Sequence, residues 1–286
     1  MIKIVVLADI HANLPALEAV LADAGDQPVD GYICAGDMVT GPQPNQVMER
    51  LINLDAWMIK GNNEAYVLEY ARNTLPTEWW SHRQFGFARH SFRLLDGPTL
   101  EAIRRLPTHR VVRLAKAAPL RVVHGTPRCI NEMLFPNRDP GALEQALEMI
   151  PEPVVICGHT HIPWSIERNG KLAINPGAVT GGLNGDPRAH YALLTWDGKY
   201  WQVELKPVNY DVAAIENAFI QSGLLEAGGA FSRACLLSFH NGMDVPQDFV
   251  DFAYRFARHA GWQGKYIPDE LWLEAERAFN WEVYPI

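Results

Sequence analysis

The chain opens on an apolar run, Ile4-Val5-Val6-Leu7-Ala8, that stops at Asp9-Ile10-His11. Four later runs end in the same manner. Tyr32-Ile33-Cys34-Ala35 gives way to Gly36-Asp37, Trp57-Met58-Ile59-Lys60 to Gly61-Asn62, Leu120-Arg121-Val122-Val123 to His124-Gly125, and Val154-Val155-Ile156-Cys157 to Gly158-His159-Thr160-His161. Short runs of this kind, closed by glycine or a polar residue, read as buried strands. Each delivers a carboxylate, imidazole or amide at its C-terminal end, the edge where open α/β sheets bind ligands. Helical signals lie between the first runs. Asn13 can cap a helix in which Pro15 suits the first turn and Leu17, Val20, Leu21 and Ala24 fall at helical spacing. A second helix is expected from about Asn45 to Asn53. This alternation implies parallel strands joined by right-handed crossovers.

Residues 64–106 read as mostly helical, interrupted at Pro76 and at Gly97-Pro98. Strands are expected at 109–114, 119–124 and 153–157, with a helix near 140–149. The stretch to 205 is β-rich, and its clearest unit is a hairpin, Tyr191–Trp196 and Lys199–Leu205 about Asp197-Gly198. The pattern then changes. Asp211 can cap a helix carrying Val212, Ile215 and Phe219. Phe249, Phe252, Ala253 and Phe256 share one helical face, and Leu271, Trp272, Ala275 and Phe279 another. The chain thus divides into a unit over 1–205 and a helical segment over 206–286, whose aromatic faces read as core or subunit interface, with a cap over the active site as the weaker alternative.

Composition works mainly by exclusion. With 286 residues, 48% hydrophobic and 20% charged, the chain is an ordinary globular protein able to bury a sizeable core. A net charge of −8 argues against long nucleic acid, which needs a basic footprint. A nucleotide remains compatible, since a bound cation can supply local positive charge. No apolar stretch reaches membrane-spanning length. The N-terminus does not read as a signal peptide, because cleavage would remove or strand Asp9 and His11. Cys34, Cys129, Cys157 and Cys235 form no C-x-x-C pair, which fits a reducing cytoplasm.

Seven oxygen and nitrogen donors, with no thiolate among them, point to a metal site of hard to borderline character. Singly, each has a plainer reading: Asp and Asn after strands are turn formers. His82, His90, His109, His190, His240 and His259 read as surface or structural residues. Only the joint pattern singles out Asp9, His11, Asp37, Asn62, His124, His159 and His161.

Asp9-x-His11, Gly36-Asp37 with Gly41-Pro42, Gly61-Asn62-Asn63-Glu64, His124-Gly125 and Gly158-His159-Thr160-His161, in this order, resemble the calcineurin-like metallophosphoesterase superfamily over residues 1 to about 205. His124-Gly125-Thr126-Pro127-Arg128 and Asn175-Pro176-Gly177 through Asp186-Pro187-Arg188 are similar to a subgroup of small prokaryotic phosphodiesterases. The resemblance implies an α/β fold of two packed β-sheets flanked by helices, a four-layer sandwich, with the C-terminal helices appended. It implies two divalent ions per chain, Mn, Fe or Zn. Asp9, His11, Asp37 and His161 would hold the first. Asp37, Asn62, His124 and His159 would hold the second, with Asp37 bridging and Asp37, Asn62 and His124 at the catalytic centre.

One departure concerns Asn63, where the family often carries a His that protonates the leaving group. An amide cannot act as an acid, although it can donate a hydrogen bond. The loop Asp37–Pro42 also lacks the Arg typical of phosphoprotein phosphatases. Asn63 and Arg128 are candidate substrate contacts. The expected function is hydrolysis of phosphodiesters or phosphoanhydrides of small molecules, nucleotides foremost. The alternatives are a dinucleoside polyphosphate hydrolase and, in another class, a non-catalytic scaffold on the same fold. The expected partners are a small phosphoester and, through the C-terminal helices, a second copy of the chain, with neither long nucleic acid nor membrane.

Overall fold

A computed structural model describes residues 1–26 and 28–286. Strands β1 (Ile2–Leu7), β2 (Gly31–Cys34) and β3 (Trp57–Met58) alternate with helices α1 (Leu14–Gly25) and α2 (Pro44–Asn53). The strands pair in parallel, as the alternation predicts. Asn13 caps α1, its Oδ1 accepting from Ala16 N at 3.1 Å. Helices α3 (Asn62–Arg72), α4 (Thr77–Ser81), α5 (Gly86–Leu94) and α6 (Gly97–Arg105) fill the next stretch. Then come β4 (His109–Val112), β5 (Leu120–Val123), α7 (Pro140–Glu148), β6 (Val154–Ile156), β7 (Trp164–Arg168), β8 (Lys171–Asn175), β9 (Ala189–Trp196) and β10 (Trp201–Val208).

The strands form two five-stranded sheets, ordered β10-β9-β1-β2-β3 and β4-β5-β6-β8-β7. Strand periodicity makes them a sandwich. From β1, Ile4 and Val6 face inward and meet Val122, Ile156 and Ile174 of the other sheet. Val5 and Leu7 face outward onto Leu17, Val20, Met48 and Leu51 of α1 and α2. In the second sheet Val123 and Val155 turn outward onto Leu143 and Leu147 of α7. The layers are helix, sheet, sheet, helix, as the family resemblance implies.

The β9–β10 hairpin differs in detail from its sequence signal. Trp196 pairs with Trp201, so the loop has four residues and β10 begins two residues later than expected. The Asp197 carboxylate is the reason: its Oδ1 accepts from Lys199 N at 2.7 Å and Tyr200 N at 2.8 Å, which holds both residues in the turn.

Beyond β10 the chain is helical: α8 (Val212–Gln221), α9 (Leu224–Gly228), α10 (Ala230–Asn241), α11 (Val245–His259) and α12 (Asp269–Ala278). Asp211 caps α8 through Ala214 N at 3.1 Å. Phe249, Ala253, Trp272 and Ala275 make a core among α10, α11 and α12, with Phe252 and Phe256 half-buried beside it. These helices grip the 77–94 stretch. Trp79 Nε1 donates to Tyr266 Oη at 3.3 Å, Arg83 N to Asp269 Oδ1 at 2.7 Å, and Ile267 N to Gln84 Oε1 at 3.0 Å. Among the described residues no helix is long and apolar enough to cross a membrane.

Candidate metal centre and active site

All seven singled-out residues arrive at one place. Asp9 and His11 follow β1, Asp37 follows β2, and Asn62 opens α3 just beyond β3. His124 follows β5, while His159 and His161 follow β6. One ligand atom each of Asp9, His11 and His161 lie within 4.8 Å of one another, and the same holds for Asp37, His124 and His159. Asn62 Oδ1 is 2.9 Å from His124 Nε2. Asp37 Oδ2 sits 3.4 Å from His124 Nε2 and 3.9 Å from His11 Nε2, so this carboxylate faces both groups.

The backbone meets these demands at a local cost. Asp9, His11, Asp37, His159 and His161 all have positive φ, between 48° and 69°. Non-glycine residues seldom adopt this region, and such outliers gather where surrounding contacts over-determine them. Those contacts run between loops. His11 N donates to Asp37 O at 2.9 Å, Gly158 N to His124 O at 2.8 Å, and Thr180 N to Asp9 O at 3.1 Å. The fit is close: a Cβ at position 61 would lie 2.0 Å from Asp37 Oδ1, and one at 158 would lie 2.8 Å from Asp9 Oδ2.

Two buried side chains hold the loops. Glu64, with no exposed surface, accepts from Asp37 N (2.9 Å), Met38 N (2.7 Å), Val39 N (3.3 Å) and Gly61 N (2.7 Å). Asn175 Nδ2 donates to Gly158 O at 2.7 Å and Thr160 Oγ1 at 3.0 Å, which orients the turn carrying His159 and His161. The sequence reading assigned Glu64 no role. Its signal was its place three residues after Gly61, where a helix-opening Glu reaches back to the preceding amide.

Electrostatics fit a cation. Burial, then repulsion from Asp37, pushes Glu64 up to about 7, against the pull of its N–H donors. Burial, opposed by His124 and reinforced by Asp37, pushes Asp9 up to about 8. Burial also works to raise Asp37, but His124 and His11 outweigh it and hold that carboxyl well below the usual range. His124 shows the converse: burial disfavours its charge, yet Asp37 and Asp9 bring it up to about 10. Burial keeps His11, His159 and His161 low, so their lone pairs are available. Asp9 Oδ1 is buried with no hydrogen-bond partner, and His11 Nε2 faces His161 Nε2 at 3.1 Å. An orphaned carboxylate oxygen beside two converging imidazole nitrogens is the environment a divalent cation satisfies.

The other candidates fall differently. Asn63 lines the site, but its N and Nδ2 donate to the two oxygens of Asp37 at 2.9 and 2.5 Å. Arg128 is held by Glu132 (2.5 Å) and by Gln145 (2.6 Å) and lines a second cavity of about 340 Å³, which it shares with His124. The structure does not bring it to the cavity that holds Asp37. That cavity, about 560 Å³, has His11, Asp37, Asn62, His159 and His161 on its floor. None of the six remaining histidines lines it. Its far wall is made by α4, α5 and the C-terminal helices, the cap that ranked below a core or subunit interface in the sequence expectation.

The profile of the calcineurin-like phosphoesterase superfamily domain matches residues 2–199. The chain belongs to this superfamily. It is a metal-dependent phosphoric ester hydrolase, with two His/Asp groups able to hold metal. It is 25% identical over 241 residues to an uncharacterized protein of Methanocaldococcus jannaschii, covering 78% of this chain and 94% of that one. A metallophosphoesterase from Sphaerobacter thermophilus has a similar structure, with TM-score 0.69 and 28% identity over 85% of this chain and all of that one. A hypothetical protein from Pyrococcus horikoshii shares the fold, with TM-score 0.71 and 19% identity over 85% and 99% of the two chains.

Proposed function

We propose that this phosphoesterase hydrolyses phosphodiester or phosphoanhydride bonds of small molecules, nucleotides foremost, at a pair of divalent cations. The observation that carries the reading is the placement of Asp37 between two groups of donors, Asp9–His11–His161 and His124–His159 with Asn62. The first group would hold one cation, the second the other, and Asp37, whose Oδ2 faces both groups, would serve both. Bound there, the pair supplies positive charge to the phosphoryl oxygens and lowers the pKa of a water. Mn²⁺, Fe²⁺ and Zn²⁺ all suit this nitrogen and oxygen donor set.

The chain's own groups do the rest. His124 Nδ1 lies 2.8 Å from Ala35 O, and donating to that carbonyl turns Nε2 toward the site. Asn63 is committed to Asp37 and has no proton to give. His90 Nε2 is bonded to Ser222 O at 2.7 Å, away from the cavity. Tyr66 does line the cavity, one turn along α3 from Asn62, and burial followed by the charge of Asp37 raises its pKa, which keeps the phenol protonated. It is the hydroxyl we assign to meet the leaving oxygen, with modest acidity, so good leaving groups are favoured. A net charge of −8 suits a small substrate over long nucleic acid, and the unpaired cysteines suit a reducing cytoplasm.

The test combines metal analysis with turnover of bis-p-nitrophenyl phosphate in Mn²⁺. Two ions per chain and steady release of p-nitrophenol are expected. Tight binding of a single ion, or no turnover with Mn²⁺, Fe²⁺ or Zn²⁺, would overturn the reading.

A further inference from the structure

The C-terminal helices close over the metal-binding floor and give the cavity a wall unlike it. Phe231 and Phe239 of α10 and Val250 of α11 line this wall, continued by Trp79 of α4 and Phe87 of α5. The aromatic rings form two ordered groups. Phe87 lies 5.0 Å from Phe231 and 6.1 Å from Phe219, while Trp79 stacks on Phe85 at 4.2 Å and meets Tyr66 at 5.6 Å. Flat, half-buried rings fixed by neighbours present preformed faces to a ligand at small entropic cost.

Charge on this wall is sparse. Beyond the metal-binding groups, the lining carries Arg138 and Asp244, both exposed. The Arg138 guanidinium lies over the Phe135 ring at 4.8 Å. A polyphosphate arm needs several cationic contacts, and one stacked arginine opposed by an aspartate does not provide them. Asp244 Oδ1 caps α11 by accepting from Gln247 N at 3.3 Å, and Gln247 Nε2 donates to Asp251 Oδ1 at 2.8 Å, so these side chains are held within α11.

From this we infer that the chamber over the metal floor receives the organic arm of the substrate, and that this arm is an uncharged planar aromatic group of nucleobase or aryl type, carrying no further phosphates. The inference rests on the phosphoesterase reading above and narrows its substrate class. It sets the dinucleoside polyphosphates aside.

The test uses p-nitrophenyl phosphodiesters that share one leaving group and differ in the second arm: methyl, octyl, phenyl and 5′-thymidyl. With Mn²⁺ present, the phenyl and thymidyl esters should exceed the methyl ester in kcat/KM by about tenfold or more, the scale of one good stacking contact. The octyl ester should fall below phenyl. Phe231→Ala should lower the phenyl-to-methyl ratio by about tenfold. Gln247→Trp, at an exposed position where α11 lines the chamber, should narrow the chamber and lower the same ratio. Thymidine binding, followed by saturation-transfer NMR, gives a readout independent of turnover and should weaken in both variants. Equal rates for all arms, or an octyl preference, would overturn the inference while leaving the esterase reading intact. Thymidine binding that depends on Phe231, without cleavage of any ester, would uphold the chamber and remove the esterase reading.

Discussion

Replacing Glu64 by Gln changes one buried atom, and the structure fixes what that should do. The carboxylate accepts four backbone N–H groups, from Asp37 and Gly61 on Oε2 and from Met38 and Val39 on Oε1. Gln keeps a single acceptor oxygen, so its NH₂ group must face two N–H donors. Each buried N–H left without an acceptor costs about 1–3 kcal/mol, giving a loss of about 2–6 kcal/mol. Typical domains have a margin of only about 5–15 kcal/mol, so the variant should be severely destabilised. The damage should also be local, because these amides define the turn that holds Asp37 at φ 55°. Urea unfolding of chelator-treated protein at about pH 9, above the raised Glu64 value so that the carboxylate is ionised, would measure the first effect, and titration with Mn²⁺ the second. Glu64→Asp, which retains two acceptors on a shorter stem, should lie between wild type and Gln. A Gln variant within about 0.5 kcal/mol of wild type, with unchanged Mn²⁺ affinity, would refute the argument, since surface substitutions change stability no more than that.

Asp37→Ala should abolish uptake of both ions, whereas His11→Ala should mainly weaken one, as metal counting on desalted protein would show. Metal affinity should climb with pH: in the metal-free chain Asp9 sits near 8 and His124 near 10, so both carry protons at neutral pH that a cation must displace. The slope should approach about tenfold per pH unit for each proton released, and calorimetric titrations giving one affinity from pH 6 to 9 would contradict the assignment. With Asn63 bonded to Asp37, rate should depend steeply on leaving-group pKa. Tyr66→Phe should slow poor leaving groups more than p-nitrophenol, and a parallel loss for both would remove Tyr66 from proton donation.

Much of this was legible in the sequence because the fold and the site share one signal. An apolar run that ends in Asp, Asn or His marks both a buried strand and a residue delivered to its C-terminal edge, so β1, β2, β5 and β6 came with their chemistry attached. The β7–β8 hairpin did not stand out, although Asn169 and Gly170, both at positive φ, form the tight turn that such a pair favours. Arg128 follows a motif that supplies a ligand and lines one cavity with that ligand, His124, but its guanidinium is already engaged. Glu132, one helical turn away in sequence, captures it. The chamber wall, foreseen only as the weaker alternative of a cap, was hard to read for a different reason. Trp79, Phe87 and Phe231 are separated by up to about 150 residues, and nothing local states that α10 will face α5. Aromatic residues on an amphipathic helix look alike whether they bury against a core or frame a cavity.

The placement of the donors also bears on how the chain is handled before it is ever an enzyme. Asp9, His11, Asp37 and Asn62 belong to loops of one sheet, and His124, His159 and His161 to loops of the other. Neither sheet alone completes either donor group, so any cation held there would be fully ligated only after the two halves have docked. Loaded metal is then a certificate of completed assembly, and it tightens the seam it certifies, because a ligand that binds only the native state stabilises that state in proportion to its occupancy. Starvation for the metal would loosen that seam first, exposing the apolar interior shared by β1 and β6 to proteases.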